Sequence, residues 1–162
     1  MEYSTIIERL LVSLLIGGVL GYEREFKNSP AGFRTHILVC LGATIVALIG
    51  EYNTIRALEL ATTQGAAVKV DLGRLEAQVI SGVGFLGAGA ILREKGSVKG
   101  LTTAATLWAV ACLGLAVGEG LFALAITGAV IVFITLSVFK KADNAISKRH
   151  KKEIEDENDI SM

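Results

Sequence analysis

Charged residues are missing from five stretches of this sequence. The segments 10–22, 37–50, 77–92, 101–118 and 120–139 contain no Asp, Glu, Lys, Arg or His. Proline occurs once in the whole chain, and 52% of the residues are hydrophobic. A mean hydropathy of +0.56 leaves too little polar sequence to coat a soluble globule of 162 residues. The composition therefore excludes an ordinary soluble domain.

These apolar stretches have the length of membrane-spanning helices, because an α-helix needs ~20 residues to cross ~30 Å of hydrocarbon. We expect an all-α, polytopic membrane protein with five transmembrane helices, in which residues 1–139 form one transmembrane domain and 140–162 a charged tail. The longer loop from Glu51 to Arg74 allows a short interfacial helix without requiring one. The predicted spans are Ser4 to Tyr22, Phe33 to Gly50, Leu75 to Leu92, Leu101 to Gly118 and Gly120 to Phe139.

The distribution of basic residues predicts the orientation of the chain. Twelve of the 16 Lys and Arg residues follow span one, span three or span five. The others are Arg9, Arg56, Lys69 and Arg74. By the positive-inside rule the N-terminus lies outside the cell and the C-terminal tail is cytoplasmic. Span one lacks a basic segment before it and a small-residue cleavage site, which predicts a retained helix.

Both cysteines lie inside predicted spans. Cys40 falls in span two and Cys112 in span four, so neither a disulfide framework nor a CxxC metal spacing is available. We interpret both as packing residues.

Small residues recur in spans one, three and four. Span three contains a GxGxxG pattern from Gly82 to Gly87, but no βαβ unit surrounds it and no acidic residue follows ~20 positions later, so nucleotide binding is rejected. Small residues instead let membrane helices approach closely. The predicted helix-packing seam consists of Ser81, Gly84 and Ala88 in span three, Gly17 and Gly21 in span one, and Gly114 and Gly118 in span four.

The loop after span one mixes charges of both signs. Pro30 and Gly32 predict a turn, so spans one and two form an antiparallel hairpin. One interpretation of the charges is a solvated interfacial rim. The other is a paired network that fixes how the hairpins dock or that receives an anionic or protein ligand. Its members are Glu23, Arg24, Glu25, Arg34 and Arg93.

A second polar group lies at the opposite mouth of span three. Asp71, Arg74 and Gln78 recur at intervals of three and four residues and so share one helical side. Asp71 is placed to cap the helix, and Gln78 to bond across to another helix. Trp108, about 7 residues into span four and so ~10 Å from its start, is predicted to lie wedged between helices.

Three runs of the sequence together resemble the MgtC/SapB family. They are Gly21 to Glu25 with Ala31 to His36, then Gln78 to Gly89, then Lys99 to Trp108, which includes the family-motif residues Thr102, Thr103 and Trp108. The resemblance covers about residues 10–139. It implies a five-helix bacterial inner-membrane protein linked to growth or virulence under magnesium limitation or acid stress. It also implies action through membrane partners such as ATP synthase more than movement of magnesium itself.

The sequence departs from the family pattern in two places. Virulence-type members continue into a soluble ACT-like domain, whereas 23 residues follow Phe139 here. Several members also carry Asn where this sequence has Thr102. The sequence therefore resembles the short, SapB-like form.

Two hypotheses of function follow. One is a non-enzymatic membrane regulator that binds other membrane proteins or a second copy of itself through its glycine seams. The other is a transporter of magnesium or another cation, which charge-free spans disfavour because Mg²⁺ is usually held by carboxylates and water. No His, Cys or carboxylate set converges inside the spans for acid–base or nucleophilic catalysis, so we do not expect an enzyme. We expect no cofactor and no nucleic-acid partner, and the sequence leaves metal binding open.

Overall fold

The computed structural model describes residues 2–64, 71, 73–94 and 97–138. The predicted charged tail, 140–162, and the basic residues Lys69 and Lys95 lie outside the described residues. Within them the chain forms five helices and one small β-hairpin. The helices are α1 (Tyr3–Phe26), α2 (Phe33–Gln64), α3 (Arg74–Gly89), α4 (Leu101–Gly118) and α5 (Phe122–Val138).

The all-α, membrane-like architecture is confirmed. Three helices are long and apolar enough to cross a membrane, namely α1, α2 as far as Thr63, and α4. Helix α5 is apolar but shorter, and α3 has 16 residues. A span count of five and its orientation therefore remain predictions.

The segment after Gly50, for which a short helix was allowed without being required, is helical in its first half. Helix α2 continues to Gln64 and has 32 residues, which corresponds to a length of ~48 Å. The segment from Glu51 to Gln64 contains no Gly or Pro, and half of its 14 residues are Ala, Leu, Glu or Arg, all good helix formers. The helix therefore extends beyond the ~30 Å that a bilayer core requires.

The predicted end of span three is wrong. Helix α3 ends at Gly89, and Leu92 instead begins a strand. Strand β1 (Leu92–Glu94) pairs antiparallel with β2 (Ser97–Lys99), with Arg93 opposite Val98. Gly100, at φ +90°, then starts α4. This left-handed backbone favours glycine, which turns the chain sharply from the strand into the helix.

Helices α1, α2 and α4 form the centre of the fold. Leu20, Cys40, Val110 and Val117 are fully buried there. The packing role predicted for Cys40 is therefore confirmed, whereas Cys112 is only half-buried.

The predicted seam is correct in α1 and α4. A Cβ atom placed on Gly17 would lie 2.9 Å from the carbonyl oxygen of His36, and one on Gly21 would lie 2.9 Å from the Cα of Phe33. A Cβ atom placed on Gly114 would overlap the carbonyl oxygen of Cys40 in α2, and one on Gly118 would lie 2.8 Å from the carbonyl oxygen of Thr44. Real Cβ atoms do not approach backbone this closely, so these positions exclude any side chain.

The seam predicted in α3 lies on a face that does not pack against the other described helices. A Cβ on Gly84 would meet nothing within 4 Å, and Ser81 and Ala88 are exposed as well. Helix α3 instead buries Val83 and Gly87, and a Cβ placed on Gly87 would lie 3.4 Å from the Cβ of Ala104. Small residues occupy several faces of α3, so their presence does not identify the packed one.

Candidate functional site

Polar side chains collect at the two ends of the helix bundle. The inner end is the one at which α1 finishes and α2 and α4 begin, and the outer end is the opposite one. The names follow the predicted orientation. Buried charges mark the inner end, and an open cleft marks the outer end.

Glu23 and Arg24 are both 93% buried at the inner end of α1, at 7% exposure each. The Glu23 carboxylate forms an ion pair with Lys27, four residues further along the helix. Its second oxygen lies 3.7 Å from the Arg24 guanidinium. The Lys27 ammonium also donates to the carbonyl oxygen of Leu136 at 2.9 Å. Lys27, which the sequence analysis left out of the cluster, thereby joins α1 to α5.

Glu25 has a different role from its neighbours. Its carboxylate accepts a hydrogen bond from the backbone N–H of Phe33 at 2.6 Å. That N–H belongs to the first turn of α2, where helix amides lack internal partners and a negative charge is favoured. A Cβ on Gly32 would come within 2.5 Å of the same carboxylate. Glu25 therefore fixes the turn between α1 and α2.

His36 is the functional-site residue that the sequence analysis missed. It is fully buried, and its Nδ1 lies 2.8 Å from the carbonyl oxygen of Gly32. With that nitrogen donating, Nε2 is an acceptor, and it has no hydrogen-bond partner. The sequence signal was its i, i+4, i+8 spacing with Cys40 and Thr44, which places all three on the side of α2 that faces α1.

Two buried polar atoms at the inner end have no partner among the described residues. These are Nε of Arg24 and Nε2 of His36, whereas the Glu23 carboxylate oxygens are engaged by the ion pairs with Lys27 and Arg24. Nearly all buried polar groups in proteins are paired, because an unpaired one costs ~1–3 kcal/mol. A fold retains such a cluster where it has a specific role. Glu23, Arg24, Lys27 and His36 are therefore the candidate functional centre, and we name them the inner cluster.

The predicted network across hairpins is wrong for Arg34 and Arg93. Both are exposed, and neither forms an ion pair within the part of the chain that the structure describes. Glu25, another predicted member of that network, is engaged by the Phe33 backbone instead. These two arginines fit the solvated-rim interpretation, whereas Glu23 and Arg24 do not.

The family-motif residues on α4 divide between two faces. Thr103 and the neighbouring Thr106 are buried at 2% and 3% exposure, on the side that contributes to the bundle interior. Thr106 Oγ donates to the carbonyl oxygen of Thr102 at 2.6 Å. Thr102 is exposed, and Trp108 is 48% exposed, so its predicted place between helices is wrong. Its half-exposed position suits a residue that faces lipid.

The outer end holds a second polar arrangement. Arg9 forms an ion pair with Glu51 and donates to the carbonyl oxygen of Gly118 at 2.5 Å, which joins α1, α2 and α4. Beside them lies an open cleft of about 840 Å³. Its acidic lining residues are Glu51, Asp71, Glu76 and Glu119.

The predicted roles of the outer polar residues are only partly correct. Asp71 and Arg74 do line the outer cleft. Asp71 does not cap α3, because the capping position is Gly73, at φ +89°. Gln78 is exposed and makes no side-chain hydrogen bond to any other described helix. Its predicted bond across the bundle is therefore wrong within this chain.

No group of three or more His, Cys, Asp or Glu side chains among the described residues is arranged to hold a metal ion. The carboxylates of the outer cleft come from two helices, α2 and α3, and from the segments before α3 and after α4. They create a region of negative charge open to water.

A bundle of apolar helices with charge confined to its two ends is the structure of a polytopic membrane protein. Residues 10–145 match the MgtC family, and the chain belongs to that family. No solved structure matches it.

Three relatives illustrate the similarity. The chain is 38% identical over 133 residues to YhiD of Escherichia coli K12, whose name suggests a magnesium transporter, covering 82% of this chain and 60% of YhiD. It is 36% identical over 142 residues to the protein MgtC of Salmonella typhimurium, covering 88% and 55% of the two chains. A Synechocystis protein is 34% identical over 157 residues, covering 96% and 62%. The chain thus spans a little more than half the length of these relatives.

Proposed function

We propose that this protein is a non-enzymatic regulator of the bacterial inner membrane, with five spans and its N-terminus outside. It is linked to magnesium homeostasis or stress adaptation and acts through other membrane proteins or a second copy of itself. ATP synthase is a partner suggested by the family resemblance alone. The inner cluster is the part on which its activity depends.

The observation that carries this proposal is the layer between the two polar ends. There Ser13 and Thr44 are fully buried and hydrogen-bonded to each other at 2.8 Å, and Thr44 also bonds to the carbonyl oxygen of Gly114 at 2.8 Å. Leu20, Val110 and Val117, with no exposed surface, fill the space beside them. This closed layer favours a regulator, because Mg²⁺ gives up its water reluctantly and needs oxygen ligands along its path.

A flux assay tests the proposal. The purified protein is reconstituted into liposomes that enclose a magnesium-sensitive dye, and Mg²⁺ is added outside. We expect entry at the rate of empty liposomes. Entry well above that rate, retained at several protein densities, would contradict the proposal.

Cation transport is the second candidate function. It is favoured by the acidic outer cleft, which would gather cations at one mouth of the bundle, and by the role suggested in the name of YhiD. The same assay separates the two functions, with Glu76→Gln as the diagnostic variant and Glu59→Gln, on the exposed part of α2, as its matched control. A transporter would show flux that Glu76→Gln reduces and Glu59→Gln does not.

A further inference from the structure

An apolar groove runs along the surface of the bundle between α1 and α5. It has a volume of about 270 Å³, and every residue that lines it is apolar. Ile16 and Leu20 are buried at its floor, whereas Val19 and Val130 are more than half exposed at its edges. No described part of the chain fills this groove.

The depth of the groove corresponds to one leaflet of the bilayer. Its inner end, at Leu20 and Phe133, lies six and five residues before the ends of α1 and α5, which is ~8–9 Å along each helix. Its other end, at Leu15 and Ile126, lies ~17–18 Å from the same helix ends. Half of the hydrocarbon core is ~15 Å thick. The groove therefore lies where the acyl chains of the leaflet at the inner end are found.

The groove is too narrow for another helix. Spread over the ~10 Å of helix that separate Ile126 from Phe133, its volume corresponds to a cross-section of ~25 Å². An α-helix with its side chains is ~10–12 Å across and therefore occupies ~80–110 Å². A hydrocarbon chain is only one methylene group wide. The occupant that fits this shape is therefore an acyl chain.

The inner end of the groove leads to the ammonium group of Lys27. One turn beyond Phe133, the carbonyl oxygen of Leu136 accepts a hydrogen bond from Lys27 at 2.9 Å. The same ammonium forms an ion pair with Glu23. An ammonium group has three N–H donors, so one remains for a further acceptor. The Lys27 side chain is 21% exposed, which leaves that donor within reach from outside the bundle.

We propose that the groove and Lys27 together bind one phospholipid with an anionic head group. Its acyl chain lies between α1 and α5, and its phosphate accepts a hydrogen bond from Lys27. Within the inner cluster the cations Arg24 and Lys27 outnumber the single carboxylate of Glu23. This positive balance favours a head group with a net negative charge over a zwitterionic one, as in other basic pockets between membrane helices. The site is compatible with either candidate function.

Native mass spectrometry of the full-length, delipidated protein in detergent tests the head-group contact. Phosphatidylglycerol and phosphatidylcholine with the same acyl chains are titrated, and the affinities of the first bound molecule are compared. We expect phosphatidylglycerol to bind about fivefold more tightly, which is the effect of about one favourable charge. The double variant Glu23→Gln, Lys27→Met keeps the net charge of the protein and leaves no carboxylate without its partner. It should bind both lipids equally.

Ala129→Leu tests the groove itself, because the longer side chain occupies the space of the acyl chain without changing any charge. It should weaken the binding of both lipids several-fold and to a similar degree. Ala123→Leu is the matched control, since Ala123 is exposed on the same helix and does not line the groove. It should bind both lipids as the wild type does. Melting temperatures check that each variant is folded.

Equal binding of the two lipids by the wild type would contradict the site, as would a preference that the double variant retains. Arg34→Gln removes an exposed arginine at the same end and should keep the preference. If it abolished the preference as fully, general surface charge would be the cause and the site would be wrong. Binding that Ala129→Leu leaves unchanged would exclude the groove. A wild-type dimer that Ala129→Leu dissociates would show that the groove holds a second copy instead of a lipid.

Discussion

The hydroxyl of Thr44 lies 2.8 Å from the carbonyl oxygen of Gly114, joining α2 to α4 in the layer that has no charged residues. Ser13 of α1 lies 2.8 Å from the same hydroxyl, and the carbonyl oxygen of Cys40 is 3.0 Å away. All three helices of the core therefore meet at one side chain. Because no water is available in a bilayer core, such groups must satisfy one another within the protein.

Thr44→Val should destabilise the protein by ~1–2 kcal/mol, because valine keeps the shape but leaves the Ser13 hydroxyl and the Gly114 carbonyl without their shared partner. Thr135→Val is the matched control, since Thr135 is exposed and bonds only to the carbonyl oxygen of Ile131 in its own helix. Unfolding in detergent measures both. Equal stability of the two variants would show that the bonds at Thr44 contribute nothing to the packing of α2 on α4.

Gly118→Ala should destabilise the fold, whereas Gly84→Ala should not. A methyl group at 118 would lie 2.5 Å from the Cβ of Ala47 and 2.8 Å from the carbonyl oxygen of Thr44. Overpacking of this kind costs ~1–3 kcal/mol. A methyl group at 84 meets nothing within 4 Å. The amounts of the two variants in the membrane and their melting temperatures check this prediction. A lower melting temperature in Gly84→Ala alone would instead indicate that α3 packs on a second copy or a partner.

The main helices were predictable because charge-free length alone determines whether a segment can cross a bilayer. The continuation of α2 to Gln64 was not predicted, because hydropathy detects only the apolar part of a helix. The polar residues after Gly50 continue the same helix. The glycines of α1 and α4 were placed correctly, since in each helix the two glycines are four residues apart and share one face. Helix α3 offers several, and only the position of Ala104 on α4 selects the face of Gly87.

The sequence predicted several residues of the candidate site but not which of them form contacts with one another. Glu23 and Arg24 stand out in the sequence because they are charged residues directly after an apolar helical segment. Glu23 and Lys27 also have the i, i+4 spacing of an ion pair on one helix. The spacing of His36 with Cys40 and Thr44 was readable in the sequence. Its burial also depends on the close approach of Gly21 in α1, which the sequence does not show. The Arg9 to Glu51 pair joins residues 42 positions apart, so sequence spacing gives no information about it.

The predicted orientation can be tested with single cysteines in a background that carries Cys40→Ala and Cys112→Ala. Thr63→Cys lies at the exposed outer end of α2, and Ser97→Cys in the exposed hairpin before α4. In intact cells a membrane-impermeant maleimide should label the first and not the second. After the membrane is permeabilised it should label both, because the positive-inside rule places the hairpin in the cytoplasm. Labelling of Ser97→Cys in intact cells would contradict the predicted orientation and place the hairpin outside the cell.

Lys27→Met should be the most damaging charge removal at the inner end. It leaves the Glu23 carboxylate, 93% buried, with only the Arg24 guanidinium at 3.7 Å, and it removes the bond to the carbonyl oxygen of Leu136. Removing one member of a buried pair costs ~3 kcal/mol or more, because the remaining charge stays buried without its partner. Arg34→Gln is the matched control, since Arg34 is exposed, and it should cost ~0–1 kcal/mol.

Adding Glu23→Gln to Lys27→Met then separates the ion pair from the bond to α5. The double variant should recover much of the lost unfolding free energy, because the uncompensated charge is gone. The difference in unfolding free energy that remains between the double variant and the wild type measures the bond to Leu136. Growth of cells in low magnesium, measured on the same set, tests whether the inner cluster carries the function. We expect the double variant to be folded but inactive. Full activity in the folded double variant would make the charges of Glu23 and Lys27 purely structural.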